Sequence, residues 1–246
     1  MQCINSRKKG CYEKYVKRIL DILFSILFLV CFGWVYIVVA IFVRVKLGSP
    51  VLFRQIRPGL ADKDGHETFF YIYKFRTMTN ERNAEGNLLP DELRVTRPGA
   101  FLRATFLDEI PEIFNILNGT MSFIGPRPQL VQDMVFMTPE LRRRHAAKPG
   151  LSGLAQVNGL NSISWDEKLN WDLKYIENIT FGYDLKLFFR TIGTVFKGFK
   201  HIKDKDESLH SEDYGDFLLR EGRVSKEEYE ALHTEARKLL DQIEND

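Results

Sequence analysis

The sequence predicts an α+β protein that is mainly helical and carries an N-terminal membrane segment. Three observations lead to this class: an uncharged apolar run from Ile22 to Val43, two short strand-like segments, and helical periodicity over much of the remaining chain. The architecture expected from them is a re-entrant membrane helix, interfacial amphipathic helices and a small β-hairpin around a compact cytoplasmic domain.

The composition supports a packed core and divides the chain into three parts. Of the 246 residues, 44% are hydrophobic and 28% are charged, which excludes wholesale disorder. We expect a basic N-terminus with the membrane helix at 1–48, a cytoplasmic domain at 49–200 and an acidic tail at 201–246. The net charge of +2 hides an asymmetry, since residues 1–200 carry +9 and the tail carries −7. A basic body suits phosphate-bearing partners or an anionic membrane, although an ordinary solvated surface gives the same total.

The run from Ile22 to Val43 is long enough to enter a membrane. As a helix it covers roughly 33 Å at about 1.5 Å per residue, close to the thickness of a hydrocarbon core. A signal peptide fits poorly because no small-residue cleavage site follows the run. A buried helix of a soluble protein is the alternative, but such helices seldom lack a polar face over so many turns.

Basic residues flank the apolar run on both sides. They lie between Arg7 and Arg18 before it and between Arg44 and Arg57 after it. Because lysine and arginine favour the cytoplasmic side, a single span cannot satisfy both flanks, whereas a helix that bends and returns to the same face can. Gly33-Trp34, near the middle of the run, is the predicted bend.

The segment after the membrane helix predicts a β-hairpin. Residues 51–55 form one short strand, and the alternation of residues 68–75 predicts a second. Asp62 to His66 is typical of a hairpin tip. Residues 79–97 are polar and predict a surface excursion.

Helices are predicted over most of the rest. One runs between Gly99 and Asn118 and either kinks or restarts at Pro111. Another begins at Thr138, and residues 165–199 are helical, with an apolar second half that suits a membrane interface.

The tail contains an amphipathic helix of its own. Ser225 and Glu228 have the spacing of a capping box, and an apolar stripe follows them. We favour packing of this stripe on its own body over an intermolecular coiled coil.

Two adjacent carboxylates, Asp108 and Glu109, are the first candidates for chemistry. They stand between apolar residues, so their burial is costly unless cations compensate. Arg103 and a divalent metal are candidate compensators. The alternative is a solvated pair at a helix end.

Basic residues in other segments suit phosphate recognition. Lys74 and Arg76 end the second strand, and Arg127 is held between two prolines. Each alone is typical of a surface charge; together with the carboxylates and a membrane segment they indicate phosphoryl chemistry on a lipid. No Walker, GxGxxG, HExxH or GxSxG motif is present.

Five motifs in order identify a resemblance that covers about residues 12–200. They are Val16-Lys17-Arg18-Ile19-Leu20-Asp21, Tyr73-Lys74-Phe75-Arg76-Thr77-Met78, Leu107-Asp108-Glu109-Ile110-Pro111, Met121-Ser122-Phe123-Ile124-Gly125-Pro126-Arg127-Pro128 and Lys148-Pro149-Gly150-Leu151-Ser152-Gly153. The chain resembles the bacterial sugar transferases, the monotopic phosphoglycosyl transferases that start glycan assembly on polyprenyl phosphate. Two positions depart from the family pattern: Gly33-Trp34 stands where members commonly have Ser-Pro, and Leu160 where many have arginine.

The resemblance implies a reaction. A UDP-sugar gives its sugar-1-phosphate to undecaprenyl phosphate, and UMP is released. Asp108 is then the nucleophile that forms an aspartyl phosphosugar, and Glu109 assists the Mg²⁺ cofactor, so both carboxylates are expected metal ligands. Metal and cations must screen the diphosphate before a carboxylate can attack it. The expected substrate-binding and phosphate-binding residues are Lys74, Arg76, Arg103, Arg127 and Asp184.

The resemblance also implies partners and a place in the cell. We expect the bacterial inner membrane with the catalytic domain on its cytoplasmic face, no nucleic acid, and a homo-oligomer or later pathway enzymes as partners of the C-terminal helix. Two alternatives belong to other classes: a catalytically silent membrane-anchored scaffold, and a soluble metal-dependent phosphatase with a buried apolar helix.

Overall fold

The fold was obtained as a computed structural model. It describes residues 4, 7–86, 88–159, 163–200 and 212–245. Leu160 lies outside the described residues, and so do residues 201–211 beside the predicted start of the tail.

The N-terminal apolar segment forms one continuous helix, α1 (Lys17–Lys46), entered through a π-helical turn at Tyr12–Val16. By its length and composition this helix could cross a membrane, and the described residues contain one such helix. Gly33 and Trp34 lie inside α1 and do not interrupt its helical assignment, and the predicted bend at this pair stays a prediction. Glycine keeps the backbone N–H that proline lacks, and the helical hydrogen bonds therefore continue through it.

The start of α1 is fastened to the body by polar contacts. The carboxylate of Asp21 accepts hydrogen bonds from Ser122 Oγ at 3.0 Å and from the backbone N–H of Phe123 at 3.1 Å. Arg18 donates to the backbone carbonyl of Leu117 at 2.6 Å. These bonds satisfy charged groups at the edge of an apolar helix.

The end of α1 is fastened to the same body by apolar contacts. Val39 and Val43 are buried in one cluster with Phe75 and Leu102. Both ends of the helix therefore contact the body that follows it in the chain.

The opposite side of α1 is an exposed apolar face. We call this side the apolar face; its most exposed members are Ile19, Leu23, Leu27, Val30, Trp34, Ile37, Val38, Ile41 and Val45. The amphipathic helix α9 (Phe181–Lys200) extends it, because Phe188 stacks on Phe24 with ring centroids 6.5 Å apart. A continuous apolar surface of this size suits contact with a lipid bilayer.

The predicted β-hairpin is confirmed. Strand β1 (Leu52–Pro58) pairs antiparallel with β2 (Phe69–Phe75), in a register that joins Leu52 to Phe75 and Pro58 to Phe69. A second small sheet joins β3 (Ser122–Ile124) to β4 (Gly150–Ser152) in parallel.

The remaining described elements are mostly short helices, as the fold class predicts. In chain order they are α2 (Asp91–Arg94), α3 (Arg97–Ala104), a 3₁₀ turn at Leu107–Glu109, α4 (Glu112–Asn118), α5 (Val131–Met134), α6 (Pro139–Arg142), a 3₁₀ turn at Arg143–Ala146, α7 (Leu154–Val157), α8 (Trp165–Glu177), α10 (Tyr214–Arg220) and α11 (Lys226–Asn245). Pro111 immediately precedes α4, so the chain restarts a helix there.

The tail helices pack on the body of the same chain, which confirms the favoured prediction. Ser225 caps α11 by accepting from the backbone N–H of Glu228 at 3.1 Å. Leu239, Leu240 and Ile243 of α11 pack on a buried cluster that includes Met134 of α5. Burial of this stripe gives the tail its place on the body.

Candidate active site

The paired carboxylates lie on the 3₁₀ turn between α3 and α4. Phe106, which precedes the turn, has φ 57°, a left-handed conformation that non-glycine residues rarely adopt. Such strain is characteristic of functional sites because the surrounding structure must hold it in place. Asp108 and Glu109 are each only 8% exposed, so the alternative of a solvated pair is wrong.

Two cations meet at Glu109. Lys74 Nζ lies 2.7 Å from Glu109 Oε1, and Arg127 Nη2 lies 2.7 Å from the same oxygen. Lys74 also lies 3.2 Å from the carboxylate of Glu112. The structure therefore brings together three carboxylates and two cations, which we call the carboxylate cluster: Lys74, Asp108, Glu109, Glu112 and Arg127.

The turn that carries Arg127 is held by three consecutive carbonyl groups. The backbone N–H of Gly150 donates to Pro126 at 2.9 Å, and Arg57 donates to Pro128 at 3.2 Å. Between them, the side chain of Arg144 donates to the carbonyl of Arg127 itself. With both flanking residues proline, this turn has little freedom, so the guanidinium of Arg127 is directed at Glu109 by a rigid backbone.

A buried amide sets the position of Lys74. Asn115 of α4 donates from Nδ2 to the carbonyl of Tyr71 at 2.7 Å and accepts from the N–H of Tyr73 at 3.1 Å. This two-point contact fixes α4 against the outer edge of β2, directly before Lys74. The register of the helix on the strand therefore determines the distances from Lys74 to Glu109 and Glu112.

Arg103 acts on the cluster from a distance. Its Nε donates to Thr77 Oγ1 at 3.0 Å. Its charge contributes to lowering the pKa of Asp108, so it adds to the positive field without an ion pair among the described residues.

Two residues predicted for phosphate binding lie elsewhere. Arg76 is buried and donates to the carbonyl of Ser49 at 2.9 Å and to that of Leu47, which closes the C-terminal end of α1. Its guanidinium is thus engaged by backbone rather than directed into the carboxylate cluster.

Asp184 is likewise a structural anchor. Its carboxylate accepts from Tyr12 at 2.9 Å and Tyr175 at 2.8 Å and pairs with Lys17, which ties the start of α1 to α8 and α9. It joins the start of α1 to α8 and α9 and is not one of the residues that meet at Glu109; its predicted part in substrate binding stays a prediction.

Glu112 is the member of the cluster that sequence reasoning missed. It follows Glu109 by three residues, the spacing that places two side chains on one side of a helical turn, and this was the available signal. It is 2% exposed, and its Oε1 atom pairs with Lys74 Nζ at 3.2 Å.

The three carboxylates have different pKa values because they share the cations unequally. Burial raises the pKa of Asp108 to about 6, with Lys74 opposing this effect and Glu109 adding to it. Burial would also raise the pKa of Glu109, but Arg127 and Lys74 outweigh it and hold the value at about 2. Burial raises the pKa of Glu112 to about 7 against the charge of Lys74. At neutral pH, Glu109 is fully ionised and Asp108 is ionised but more basic than an ordinary aspartate.

The donor set fits a hard divalent cation. Carboxylate oxygens are the ligands that Mg²⁺ prefers, and the cluster has more carboxylates than contacting cations. Asp108 and Glu109 are the residues that would hold the ion.

Comparison with known proteins places the whole arrangement in one family. The sequence profile of the bacterial sugar transferases matches residues 12–198, which include α1, both sheets and every member of the carboxylate cluster. The chain belongs to the bacterial sugar transferase family. Helices α10 and α11 lie beyond the matched region.

Three curated relatives are similar to this chain, and the names of two of them state their substrates. An uncharacterized sugar transferase, EpsL of Bacillus subtilis, is 44% identical over 180 residues, 73% of this chain and 87% of the relative. A UDP-glucose:undecaprenyl-phosphate glucose-1-phosphate transferase of Klebsiella pneumoniae is 37% identical over 193 residues, 74% of this chain and 40% of the relative. A UDP-N-acetylgalactosamine-undecaprenyl-phosphate N-acetylgalactosaminephosphotransferase of Aeromonas hydrophila is 34% identical over 193 residues, 75% of this chain and 44% of the relative. The chain therefore spans less than half the length of these two longer sugar transferases.

Proposed function

We propose that this sugar transferase moves a sugar-1-phosphate from a UDP-sugar to undecaprenyl phosphate and releases UMP, through a covalent intermediate on Asp108. One observation carries the assignment of the nucleophile. Among the three buried carboxylates, Glu109 and Glu112 contact cations, whereas Asp108 has no hydrogen bond or ion pair with any described residue. Its oxygen lone pairs are therefore free to attack.

The electrostatics of the cluster support attack on a diphosphate. A carboxylate and a diphosphate repel one another, so cations must surround both before they approach. Lys74, Arg103 and Arg127 all act on Asp108 with positive charge, and 38% of the Arg127 side chain is exposed. A pKa of about 6 leaves Asp108 ionised at neutral pH and a better nucleophile than an ordinary aspartate.

The proposed reaction has two balanced displacements. A carboxylate oxygen of Asp108 attacks the phosphorus that bears the sugar, and the bond from that phosphorus to UMP breaks with its electron pair on UMP. A phosphate oxygen of undecaprenyl phosphate then attacks the aspartyl phosphosugar, and the electron pair returns to Asp108. Neither step requires a proton, because nucleophile and leaving group are oxyanions in each.

Mg²⁺, held by Asp108 and Glu109, would neutralise the diphosphate and stabilise the departing UMP. Within the protein, Arg127 and Lys74 keep Glu109 ionised, and Glu109 in turn fixes where these two cations stand. Glu112 holds Lys74 from the other side.

The membrane arrangement is also a proposal. We infer that α1 inserts its apolar face into the cytoplasmic leaflet of the bacterial inner membrane, with both ends on the cytoplasmic side. Support comes from the basic flanks and from the contacts of both helix ends with the same body. Single cysteine probes at Asn5 and Ser49, with the native cysteines removed, should both resist an impermeant reagent until cells are opened. External labelling at Asn5 alone would instead mean a spanning helix.

The nucleophile is tested with Asp108→Asn. The amide keeps the shape of the side chain but cannot attack, so we expect turnover to fall by many orders of magnitude with an unchanged melting temperature. Asp64→Asn, which alters an exposed aspartate of the β1–β2 loop, is the matched control and should retain activity.

Mass spectrometry distinguishes a failure of the covalent mechanism from a failure of the proposed transferase function. Wild-type protein quenched with a UDP-sugar alone should carry a phosphosugar on Asp108. Turnover without this adduct, or with Asp108→Asn, would disprove the covalent route; a folded chain with neither turnover nor adduct across a panel of UDP-sugars would indicate a scaffold.

A further inference from the structure

A lysine of α8 adds positive charge beside the turn that carries Arg127. Lys168 is half-buried, and its ammonium has no hydrogen bond or ion pair with any residue that the structure describes. Its Nζ atom lies 5.0 Å from the ring centre of Trp165. A cation in this position is stabilised by the aromatic ring, while its three N–H donors are kept for a ligand.

The helix turn that carries Lys168 is fixed at both of its neighbouring contacts. Ser164 caps α8 by accepting from the backbone N–H of Glu167 at 3.3 Å. Trp165 is buried and donates from Nε1 to the backbone carbonyl of Glu212 at 2.8 Å. The start of α8 and the ring beside Lys168 are therefore held in place before any ligand arrives.

The next turn of α8 is joined to the Arg127 turn. Asp172 follows Lys168 by four residues, a spacing that places the two side chains on one side of the helix. The carboxylate of Asp172 pairs with Arg144 at 2.6 Å, and Arg144 donates to the carbonyl of Arg127. Lys168 therefore lies on the side of α8 that faces the Arg127 turn.

The charge interactions of Lys168 agree with this placement. Burial lowers the pKa of Lys168, the charge of Arg127 lowers it further, and the charge of Asp133 opposes both effects. Arg127 also acts on Asp108, but Asp108 is not among the described groups that act on Lys168. Lys168 is therefore closer to Arg127 than to the proposed nucleophile.

Positive charge around the Arg127 turn is incompletely neutralised. Arg57 donates to the neutral oxygens of Gln55 and Pro128, and its buried Nε atom has no partner. Burial and the charge of Arg127 lower the pKa of Arg57 to about 10. Neither Arg57 nor Lys168 has a carboxylate partner within the described ranges, so a bound anion would relieve the repulsion between these cations and Arg127.

The chemistry of the donor indicates which anion this is, a step that rests on the proposed function. The phosphorus that bears the sugar must meet Asp108, and in phosphoryl transfer the leaving group departs on the side away from the nucleophile. The nucleotide-side phosphate therefore points away from Asp108, where Lys168 stands beyond Arg127. As the bond to UMP breaks, the electron pair stays on this phosphate and its negative charge increases, so a fixed cation is most effective there.

We propose that Lys168 is a further substrate-binding residue of this sugar transferase, whose ammonium donates to the nucleotide-side phosphate of the donor and to the same phosphate in the departing UMP. Arg127 would then contact both phosphates of the donor, and Lys168 would hold the one that leaves. The two ends of the scissile bond are thus bound by different parts of the chain.

The test is equilibrium dialysis of radiolabelled UMP against the full chain in detergent micelles, which requires no turnover. We expect the dissociation constant for UMP to rise about tenfold in Lys168→Gln and to return close to the wild-type value in Lys168→Arg. Labelled uridine, which has no phosphate, should bind equally well to the wild type and to these variants. If Lys168→Gln is unfolded, Lys168→Met replaces it, because it keeps the apolar stem beside Trp165, and the same tenfold effect is expected.

The same helix offers a matched control. Lys174 also lies beside a tryptophan, with Nζ 4.6 Å from the ring centre of Trp171, but it is exposed and faces another side of α8. Lys174→Gln should bind UMP as the wild type does.

Three outcomes would overturn the proposal alone. They are equal UMP affinity in the wild type and Lys168→Gln, an equal loss of uridine and UMP affinity in that variant, and a raised KM for undecaprenyl phosphate with unchanged UMP affinity. The second would give Lys168 a structural role, and the third would assign it to the acceptor. A wild type that binds no UMP and turns over no UDP-sugar would contradict the proposed function as well.

Discussion

Two buried groups of charges differ in how completely they are paired. In the carboxylate cluster, three carboxylates share two contacting cations. In a second group, which we call the Arg144 cluster, the charges balance: Arg144 bonds to Asp172 at 2.6 Å, and Arg142 bonds to Glu67 at 3.1 Å. His145 completes that cluster at 3.1 Å from Glu67, and burial lowers the pKa of its imidazole, which favours the neutral form.

This difference in charge pairing distinguishes the cluster that supports the fold from the cluster that can take part in the reaction. A buried network with balanced charges holds elements together, whereas a cluster with surplus carboxylate attracts a cation and leaves one nucleophile free. The two are also connected, because Arg144 donates to the carbonyl of Arg127 and so aligns the cluster in which Arg127 acts.

The strongest test of this comparison removes a charge from the balanced cluster. Arg144→Met leaves Asp172 buried without its partner, and we expect a loss of about 3–5 kcal/mol in the free energy of unfolding, measured by denaturant titration. Arg143→Met, at a more exposed neighbouring position, should change it by less than about 0.5 kcal/mol. Recovery in the double variant Arg144→Met with Asp172→Leu would confirm the cause; equal effects of the two arginines would contradict it.

The corresponding change in the carboxylate cluster should act on rate instead. Lys74→Gln removes a cation beside the diphosphate, and we expect kcat to fall about 10²–10³-fold. Stability should change little, because Glu112, whose pKa is already about 7, can take up a proton in place of its lost partner. Lys63→Gln, at an exposed position, serves as control. A large drop in melting temperature with unchanged kcat would reverse the roles given to the two clusters.

Asp133 of α5 provides an intermediate case, a buried carboxylate bound to backbone. It accepts from the N–H of Leu130 at 3.0 Å and of Tyr214 at 2.9 Å, and burial raises its pKa to about 6. A raised carboxyl pKa means that the folded state binds the proton more tightly, so stability is lost as pH rises from about 4 to about 6. At about 1.4 kcal/mol per pKa unit, the loss is about 3 kcal/mol.

The measurement compares the pH dependence of unfolding in wild type and Asp133→Asn over this range. We expect a flatter profile in the variant, because the other carboxyl groups titrate equally in both proteins. Parallel profiles would show that Asp133 keeps an ordinary pKa.

The smallest expected effect lies in the tail, which belongs to neither cluster. Leu239→Ala removes part of the contact between α11 and the body, and we expect a loss of about 1 kcal/mol in stability with unchanged kcat. Lys238→Ala, on the exposed side of the same helix, should have no measurable effect. A fall in kcat for Leu239→Ala alone would mean that the tail supports the active site.

Sequence patterns predicted the features that depend on neighbours along the chain. The hairpin, the interruption of the helix at Pro111 and the capped helix after Ser225 follow from local turn and capping chemistry. Lys74, Arg127, Asp108 and Glu109 were predicted as candidates because of their charges. The contacts that bring them together were not predicted.

What could not be predicted depends on contacts between distant segments. The roles of Asn115 and Arg144 exist only because α4 lies on β2 and the chain before β4 lies behind the Arg127 turn. Lys74 and Arg76 would share a face if the strand continued, but β2 ends at Phe75 and the alternation ends with it. Arg76 therefore turns to α1, a partner that no local pattern indicates.

The lengthwise packing of α1 has a practical consequence for handling the enzyme. A shortened chain starting at residue 49 would expose to water the surfaces of Phe75, Leu102 and Met121 that the helix and its neighbours now cover. Helix α1 therefore cannot be removed from the body, as a membrane tether can be removed from a soluble enzyme. Expression and purification must therefore keep the first 48 residues, together with an amphiphile that covers the outward side of the helix.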